Sequence, residues 1–188
     1  MLKSDGSTAE LMARTGYKSS YFNSELNTTT DSEGNVVPQY EGSELDTLLN
    51  ENYYKTLSDA VKDNIQIQSI AQNIWKYAGA TADVALTDLD DHSYALSKVG
   101  TVGTYSRNVY ALDIQDVVDY LGSDITGAQL NTMLFGTEKS FVQNVWLRSA
   151  RPDDSVRMFL AGGNIGCLSV GNYDISNEAR PTFTITLK

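Results

Sequence analysis

The fold is decided by the stretch Asn144–Ser149, which reads Asn-Val-Trp-Leu-Arg-Ser. Side chains of a strand alternate between its two faces, so Trp146 and Arg148 share one face. Val145 and Leu147 then share the other face. An unpaired buried charge is very costly, and the five-donor fork of arginine can brace several carbonyl groups at once. We therefore predict a core strand in which the indole is buried and Arg148 holds neighbouring loops.

Length and charge limit the class of protein. A chain of 188 residues forms one domain, or one domain with an N-terminal extension. Its net charge of -10 argues against a nucleic acid or an anionic membrane as the partner. No apolar run approaches the roughly 20 residues of a membrane-spanning helix, so we predict no membrane insertion. The first residues lack the apolar core of a signal peptide, so an exported protein would have its leader absent from this sequence.

The reactive side chains are few. There is 1 Cys and 1 His, which excludes an intrachain disulfide and a structural zinc site built from thiolates. Cys167 stands in an apolar stretch and is predicted to be a buried structural residue. His92 follows Asp90 and Asp91, and a solvated surface position is favoured over a base or a metal ligand.

Local patterns predict the elements of the first half. Residues Ser7–Glu10 resemble a capping box and predict a short helix. Residues Asn27–Pro38 predict a loop or hairpin tip around Gly34. Apolar residues at helical spacing after Ser43 predict a helix capped by that serine. Further predictions are a short helix from Ser58 to Lys62 and strands at Ile65–Tyr77 and Val84–Leu86.

The second half contains one strong helix and several strands. Asp113 is the predicted cap of a helix over Ile114–Leu121. Gly100 and Gly103 predict a flexible connection. The apolar stretch Val109–Leu112 predicts a buried strand. The other predicted elements are a helix at Gly127–Phe135 and strands at Phe141–Ser149, Val156–Leu160, Ile165–Val170 and Pro181–Leu187.

Three C-terminal groups resemble the signature of a bacterial family of domains of unknown function, found in gut bacteria and their phages. They are Trp146-Leu147-Arg148-Ser149, Gly162-Gly163-Asn164 and Arg180-Pro181. The resemblance covers residues 40–188, which would be the domain, and leaves residues 1–39 as an extension packed on it or linking to it. It implies an α+β, C-type-lectin-like fold, with a twisted, mostly antiparallel sheet and a few short helices.

The same fold serves formylglycine-generating enzymes and variable receptor-binding proteins of phages. The enzymes need two cooperating cysteines, and this chain has only Cys167, so we predict no enzymatic activity and no cofactor. Two oxygen-rich groups leave calcium open as a hypothesis, although turn chemistry is favoured for both and no metal is predicted. These groups are Asp88, Asp90 and Asp91, and Asn172, Asp174, Asn177 and Glu178.

Function is predicted from this resemblance and from a tyrosine-rich composition. We predict a non-enzymatic adhesion domain that binds a glycan or a protein. Its predicted location is outside the cell, on the cell surface or on the surface of a virion. The predicted contact residues are Tyr105, Asp153, Asp154, Asn172, Tyr173, Asp174 and Asn177. Trp146, Arg148 and Arg180 are predicted to be structural core residues. The alternative is a structural subunit of a pilus, surface layer or phage tail, which self-associates by docking or swapping its N-terminal segment.

Overall fold

Strands dominate the computed structural model, which describes residues 2–23, 27–78, 83–87, 93–136, 144–152, 157–161, 165–169 and 177–187. They cover more of the chain than helices do, and most of their pairings are antiparallel. The predicted α+β class and the mostly antiparallel pairing are therefore confirmed.

Fifteen strands are present in the described part of the chain. In chain order they are β1 (Lys3–Ser4), β2 (Thr8–Met12), β3 (Lys18–Ser19), β4 (Thr28–Thr30), β5 (Val36–Pro38), β6 (Ile65–Gln66), β7 (Gln68–Ala78), β8 (Val84–Thr87), β9 (Ser93–Arg107), β10 (Asp124–Thr126), β11 (Asn144–Arg151), β12 (Arg157–Ala161), β13 (Ile165–Ser169), β14 (Asn177–Ala179) and β15 (Thr182–Thr186).

The helices are short. They are α1 (Glu44–Thr47), which continues through a π-helical stretch (Leu48–Tyr53) into α2 (Tyr54–Thr56), then α3 (Asp59–Lys62), α4 (Ile114–Leu121) and α5 (Gly127–Phe135). The hydroxyl of Ser43 accepts from the N–H of Asp46 at 3.1 Å, which confirms the predicted cap. Asp113 caps α4 through a capping box, also as predicted. None of the helices described is long and apolar enough to cross a membrane.

Two sheets form the body of the fold. The larger has the order β10-β8-β9-β7-β11-β12-β13, with β14 beside β11 and β3 beside β14. The smaller has the order β1-β2-β15-β6, so a strand near the start of the chain pairs with the last strand. β4 and β5 form a separate hairpin, and Gly34 in its turn has a φ of 89°. The hairpin tip predicted around Gly34 is therefore confirmed.

The segment that follows Ser7 is a strand, so the helix predicted there is wrong. Met12 pairs with Thr182 and Thr8 with Thr186 along an antiparallel ladder with β15. The ladder supplies backbone partners along the whole segment and places Glu10 in a buried position. Tertiary pairing therefore outweighs the local capping signal.

Two connections also differ from the prediction. Gly100 and Gly103 lie inside the long strand β9 and pair with Ile74 and Gln72 of β7. Each glycine stands next to a register shift, which leaves Val99 and Val102 without a partner in the β7–β9 ladder. The predicted strand at Val109–Leu112 is wrong, because only Tyr110 makes a β-bridge there, to Thr182. The segment is nevertheless buried, as expected from its apolar character.

β11 separates two apolar cores. Trp146 and Ala150 belong to one core, while Val145 and Leu147 belong to the other. The first core also contains Phe22 and residues such as Val37 from the β4–β5 hairpin. The predicted alternation of β11 is therefore confirmed, and the segment before residue 40 contributes to the same core as the rest of the chain.

Arg148 is only 3% exposed and braces three parts of the chain. Its Nε donates to the carbonyl of Ala71 at 2.7 Å, and its Nη1 donates to the carbonyl of Ala111. The same Nη1 pairs with a carboxylate oxygen of Asp116 at 2.7 Å. Burial opposes the charge, but the carboxylates of Asp116 and Asp113 outweigh it and raise the pKa of Arg148. The predicted role of this arginine as a buried brace is confirmed.

Two buried tyrosines make the stability of the fold depend on pH in the alkaline range. Burial raises the pKa of Tyr40 and of Tyr110, and the nearby carboxylates of Asp46 and Glu10 raise them further. A group whose folded pKa is raised stabilises the fold fully below its unfolded pKa, which is about 10 for tyrosine. That stability is lost as the pH rises above this value.

We therefore expect the free energy of unfolding to fall steadily above about pH 10. Titration of the tyrosinate absorbance should show a late fraction of the 11 tyrosines ionising together with loss of the fold. In denaturant all 11 should ionise near one pH. Ionisation of every tyrosine without unfolding would contradict the expectation.

Candidate functional site: a groove braced by Arg180

A groove of about 740 Å³ lies between the end of β2 and helices α4 and α5. This volume is within the range of about 300–1,000 Å³ that is usual for ligand sites. Its apolar lining comes from both ends of the chain's first hairpin and from the two helices: Leu2, Met12, Leu121, Met133, Leu134 and Phe135. The groove is thus a concave apolar surface assembled from segments far apart in the sequence.

Both helices end at the groove. α4 ends at Leu121 and is followed by Gly122 with a φ of 93°, and α5 ends at Phe135 and is followed by Gly136 with a φ of 75°. At these positive φ values the backbone leaves the helix direction immediately after each helix. Glycine adopts such a conformation without a steric penalty. Leu121 and Phe135 therefore remain at the wall of the groove.

Polar groups at the groove are of two kinds. The carboxamide oxygen of Gln129 caps α5 by accepting from Thr126, and the hydroxyl of Thr132 donates to the carbonyl of Ala128. These groups serve the helix itself. Arg14 and Tyr120 are exposed at the rim.

Arg180 holds the walls of the groove together. Its Nη1 donates to the carbonyls of Arg14 at 2.7 Å and Leu134 at 2.5 Å, and to the carbonyl of Ala13 at 3.4 Å. The guanidinium also lies over the ring of Phe135, 4.9 Å from its centroid. One buried side chain therefore ties the loop after β2 to the end of α5.

Glu178 completes this brace. Its carboxylate pairs with Arg180 Nη2 at 2.9 Å, while burial lowers the pKa of Arg180. Gly16 lies so close that a Cβ there would overlap the carboxylate of Glu178. The ion pair between Arg180 and Glu178 therefore supports the groove wall, and the loop after β2 packs closely against it at Gly16.

A second polar cluster positions α4. Asp113 is fully buried and accepts from the N–H of Asn73 at 3.1 Å, from its side-chain amide at 3.0 Å and from the indole of Trp75 at 3.2 Å. The hydroxyl of Ser149 accepts from the N–H of Ile114 at 2.8 Å. The start of α4 is thus fixed to β7 and β11, so its far end faces the groove.

The sequence-predicted contact residues lie elsewhere. Tyr105 is 8% exposed in β9, and its hydroxyl donates to Gln72 Oε1 at 3.4 Å. The expectation of an exposed position in a glycine-flanked loop is corrected, because both flanking glycines belong to the strand. The predictions for Asp153, Asp154, Asn172, Tyr173 and Asp174 fall outside the described residues.

Asn177 is also corrected from a surface position to an interior one. It is fully buried in β14, and neither polar atom of its side chain has a hydrogen-bond partner among the residues that the structure describes. It pairs through its backbone with Asn144 of β11. Trp146 and Arg180 are 0% and 2% exposed, so they lie in the core as predicted.

Sequence patterns did not identify the groove. Met12 directly follows the segment predicted to begin a short helix, and Leu121 and Met133 lie in predicted helices for which no ligand contact is predicted. The available signal was the pair of helix ends followed by glycine, Gly122 and Gly136, which exposes the last apolar residues of each helix. That signal does not reveal which third segment lies opposite.

Among the residues described, no three or more His, Cys, Asp or Glu residues lie together in a way that could hold a metal ion. Asp88, Asp90, Asp91 and His92, which were considered as a calcium group or a base, fall outside that part of the chain, and Cys167 is described only in its backbone.

One family model matches the chain, described as Domain of unknown function (DUF6273), over residues 18–187. The match includes every strand of the larger sheet, both helices of the groove and Arg180. Leu2, Met12 and Arg14, on the opposite wall, precede it. No curated protein and no solved structure matches the chain.

Proposed function

The chain belongs to the DUF6273 family of domains of unknown function, and we propose that it is a non-enzymatic binding domain whose groove takes an apolar group of a protein ligand. The observation that carries this proposal is the groove itself, a concave apolar surface that opens to solvent. Exposed apolar concavities of this kind are typical of binding sites.

The lining favours a protein ligand over a glycan. Met12 and Met133 stand on opposite walls, and methionine is enriched at surfaces that adapt to varied apolar partners. Arg14 and Tyr120 lie at the rim, and no Asp or Glu is among the described lining residues. A sugar would find few hydrogen-bond acceptors in such a site.

The buried charges support a non-enzymatic role. Arg148 and Asp113 each make several hydrogen bonds to groups of the chain itself, and Arg180 binds three carbonyls and Glu178. These side chains therefore serve to hold elements in place. Their positions are explained without a substrate.

The C-type-lectin-like architecture and a location outside the cell or on a virion also belong to this proposal. Their support is the resemblance of the C-terminal signature, whose Trp146, Arg148 and Arg180 lie in the interior. Adhesion is the role that such a location suggests for a binding domain.

We expect the groove to bind an uncharged apolar dye such as Nile red, and Ala128→Trp to reduce that binding at least about tenfold. Ala128 lines the groove in the first turn of α5 and is exposed, so an indole there fills space without disturbing the core. Fluorescence titration of the dye measures the effect.

The matched control is Ala60→Trp, which adds the same indole to an exposed position of α3. Dye binding by this variant should equal that of the unaltered chain. Equal loss in both variants, or dye binding unaffected by Ala128→Trp, would refute the groove as the binding site.

The alternative function, a structural subunit, is favoured by one observation. β2 reaches across to pair with β15 at the C-terminal end of the chain, and such a strand can pair equally with the β15 of a neighbour. Sedimentation of the full chain over a wide concentration range separates the two functions. A monomer throughout supports the binding domain, and growing assemblies support the subunit.

A further inference from the structure

The first residues of the chain run along its last strands. β2 forms a ladder with β15, and two backbone bonds of 2.8 Å extend it, from Leu187 to the carbonyl of Ser7 and from Ala13 to the carbonyl of Pro181. β3 continues this pairing on β14. Residues 2–19 therefore follow the C-terminal strands as one unit, which we call the N-terminal segment.

Little of the N-terminal segment is buried. Of its described side chains, only Ala9 and Glu10 are buried. The chain enters the core directly after it, where the carbonyl of Ser20 accepts from the indole of Trp146 at 2.8 Å and the ring of Phe22 is fully buried beside that indole. Local opening is easiest where few apolar contacts are buried. The segment can therefore detach without removing a buried member of either core.

Glu10 sets the register of the segment on β15. It stands directly opposite Thr184 in the ladder, and its carboxylate accepts from the hydroxyl of Tyr110 at 2.8 Å. A slip of one residue would turn Glu10 to the other face of the sheet, and a slip of two would move it by about 7 Å along the strand. A buried carboxylate that loses its donor is costly. The edge of β15 therefore accepts this strand in one register.

We propose that the N-terminal segment exchanges between two copies of the chain, so that β2 of each copy pairs with β15 of the other. The second copy is the occupant that this edge fits, because it carries the same strand, with a carboxylate at the position that Tyr110 receives. Exchange replaces each contact of the segment with an identical one, so no pairing energy is lost.

Exchange makes the groove a site shared by two chains. Leu2, Met12 and Ala13 of the N-terminal segment line the groove opposite α4 and α5. In the exchanged pair this wall comes from the partner copy, so each groove is completed by the other chain. Exchange is independent of what the groove binds, and it gives the alternative function, a structural subunit, a defined segment and register.

A disulfide between two copies tests the exchange. Thr8 and Thr186 are opposite each other, and the N–H of Thr186 donates to Asn64 on the other side of β15, so this pair is of the closely spaced kind. Full-length Thr8→Cys and Thr186→Cys, both with Cys167→Ser, are mixed, warmed to just below the melting temperature, cooled and oxidised. We expect a covalent heterodimer, identified by mass, at least about tenfold above the collision control.

The collision control replaces Thr186→Cys with Thr56→Cys, an exposed position on α2. A second control places both cysteines, Thr8→Cys and Thr186→Cys, in one dilute chain, which should close an intrachain disulfide. A third pairs Thr8→Cys with Thr184→Cys, which should link no more than the collision control, because diagonal neighbours in a ladder are too far apart for a disulfide.

Each other outcome overturns a distinct statement. An intrachain disulfide with heterodimer only at the collision level would show that the segment stays on its own chain and would overturn the exchange. Failure of the intrachain disulfide would overturn the pairing on which the exchange depends. Equal linking at Thr184→Cys and Thr186→Cys would overturn the role of Glu10 in the register. Nile red binding decides the groove separately.

Discussion

Arg148→Lys lowers the free energy of unfolding by about 3 kcal/mol, as expected when a buried charge loses part of its fixed set of acceptors. Arg148 reaches Ala71, Ala111 and Asp116 from one planar group. A lysine ammonium is a single point of charge and cannot meet three acceptors in that geometry. For a chain of this length, the melting temperature should fall by about 6–12 °C.

Arg151→Lys is the matched control, since it makes the same exchange three residues further along β11. Arg151 is only partly buried and lies over the ring of Tyr77, 5.0 Å from its centroid. A lysine can keep a cation over that ring, so the change should cost less than about 1 kcal/mol. Denaturant unfolding measures both variants. If the two variants have the same free energy of unfolding, Arg148 is not a brace.

Asp113→Asn should cost about 3 kcal/mol of unfolding free energy, because it leaves buried donors without an acceptor. The carboxylate receives the backbone N–H and the side-chain amide of Asn73, the indole of Trp75 and the N–H of Gln115. Asparagine offers one acceptor oxygen and directs an NH₂ group at the remaining donors. The loss of this nearby negative charge also removes part of the electrostatic stabilisation of the buried Arg148 guanidinium.

The control for this change is Asp119→Asn on the exposed side of the same helix. Asp119 accepts from the side chain of Gln115 at 2.9 Å, and such an exposed bond contributes little. We expect a change within about 0.5 kcal/mol. Thermal unfolding of Asp113→Asn close to that of the control would show that the cluster beneath α4 does not stabilise the fold.

Elements with strong local signals could be predicted from the sequence. The cap at Asp113, the cap at Ser43 and the burial of Trp146 and Arg148 each depend on one short stretch of chain. In each case the local preference and the final packing agree. The helix predicted after Ser7 failed because its backbone partners lie in β15, at the other end of the sequence.

The groove could not be predicted for the same reason. Its walls come from β2, α4 and α5, and the residue that joins them, Arg180, makes its contacts with backbone carbonyls. A carbonyl carries no residue-specific signal, so no pattern of residue types records these contacts. The predicted contact residues followed polar and aromatic composition, and Tyr105 and Asn177 satisfied that criterion while lying inside the protein.

The ladder between β2 and β15 has a consequence for biosynthesis. During synthesis, the strand at Thr8–Met12 leaves the ribosome well before its partner at Thr182–Thr186. The earlier strand must wait without this partner until the elements between the two strands have been synthesised, and pairings between such distant residues form slowly. Completion of the smaller sheet therefore depends on the synthesis of β15, and a premature stop before β15 would leave β2 available to other chains.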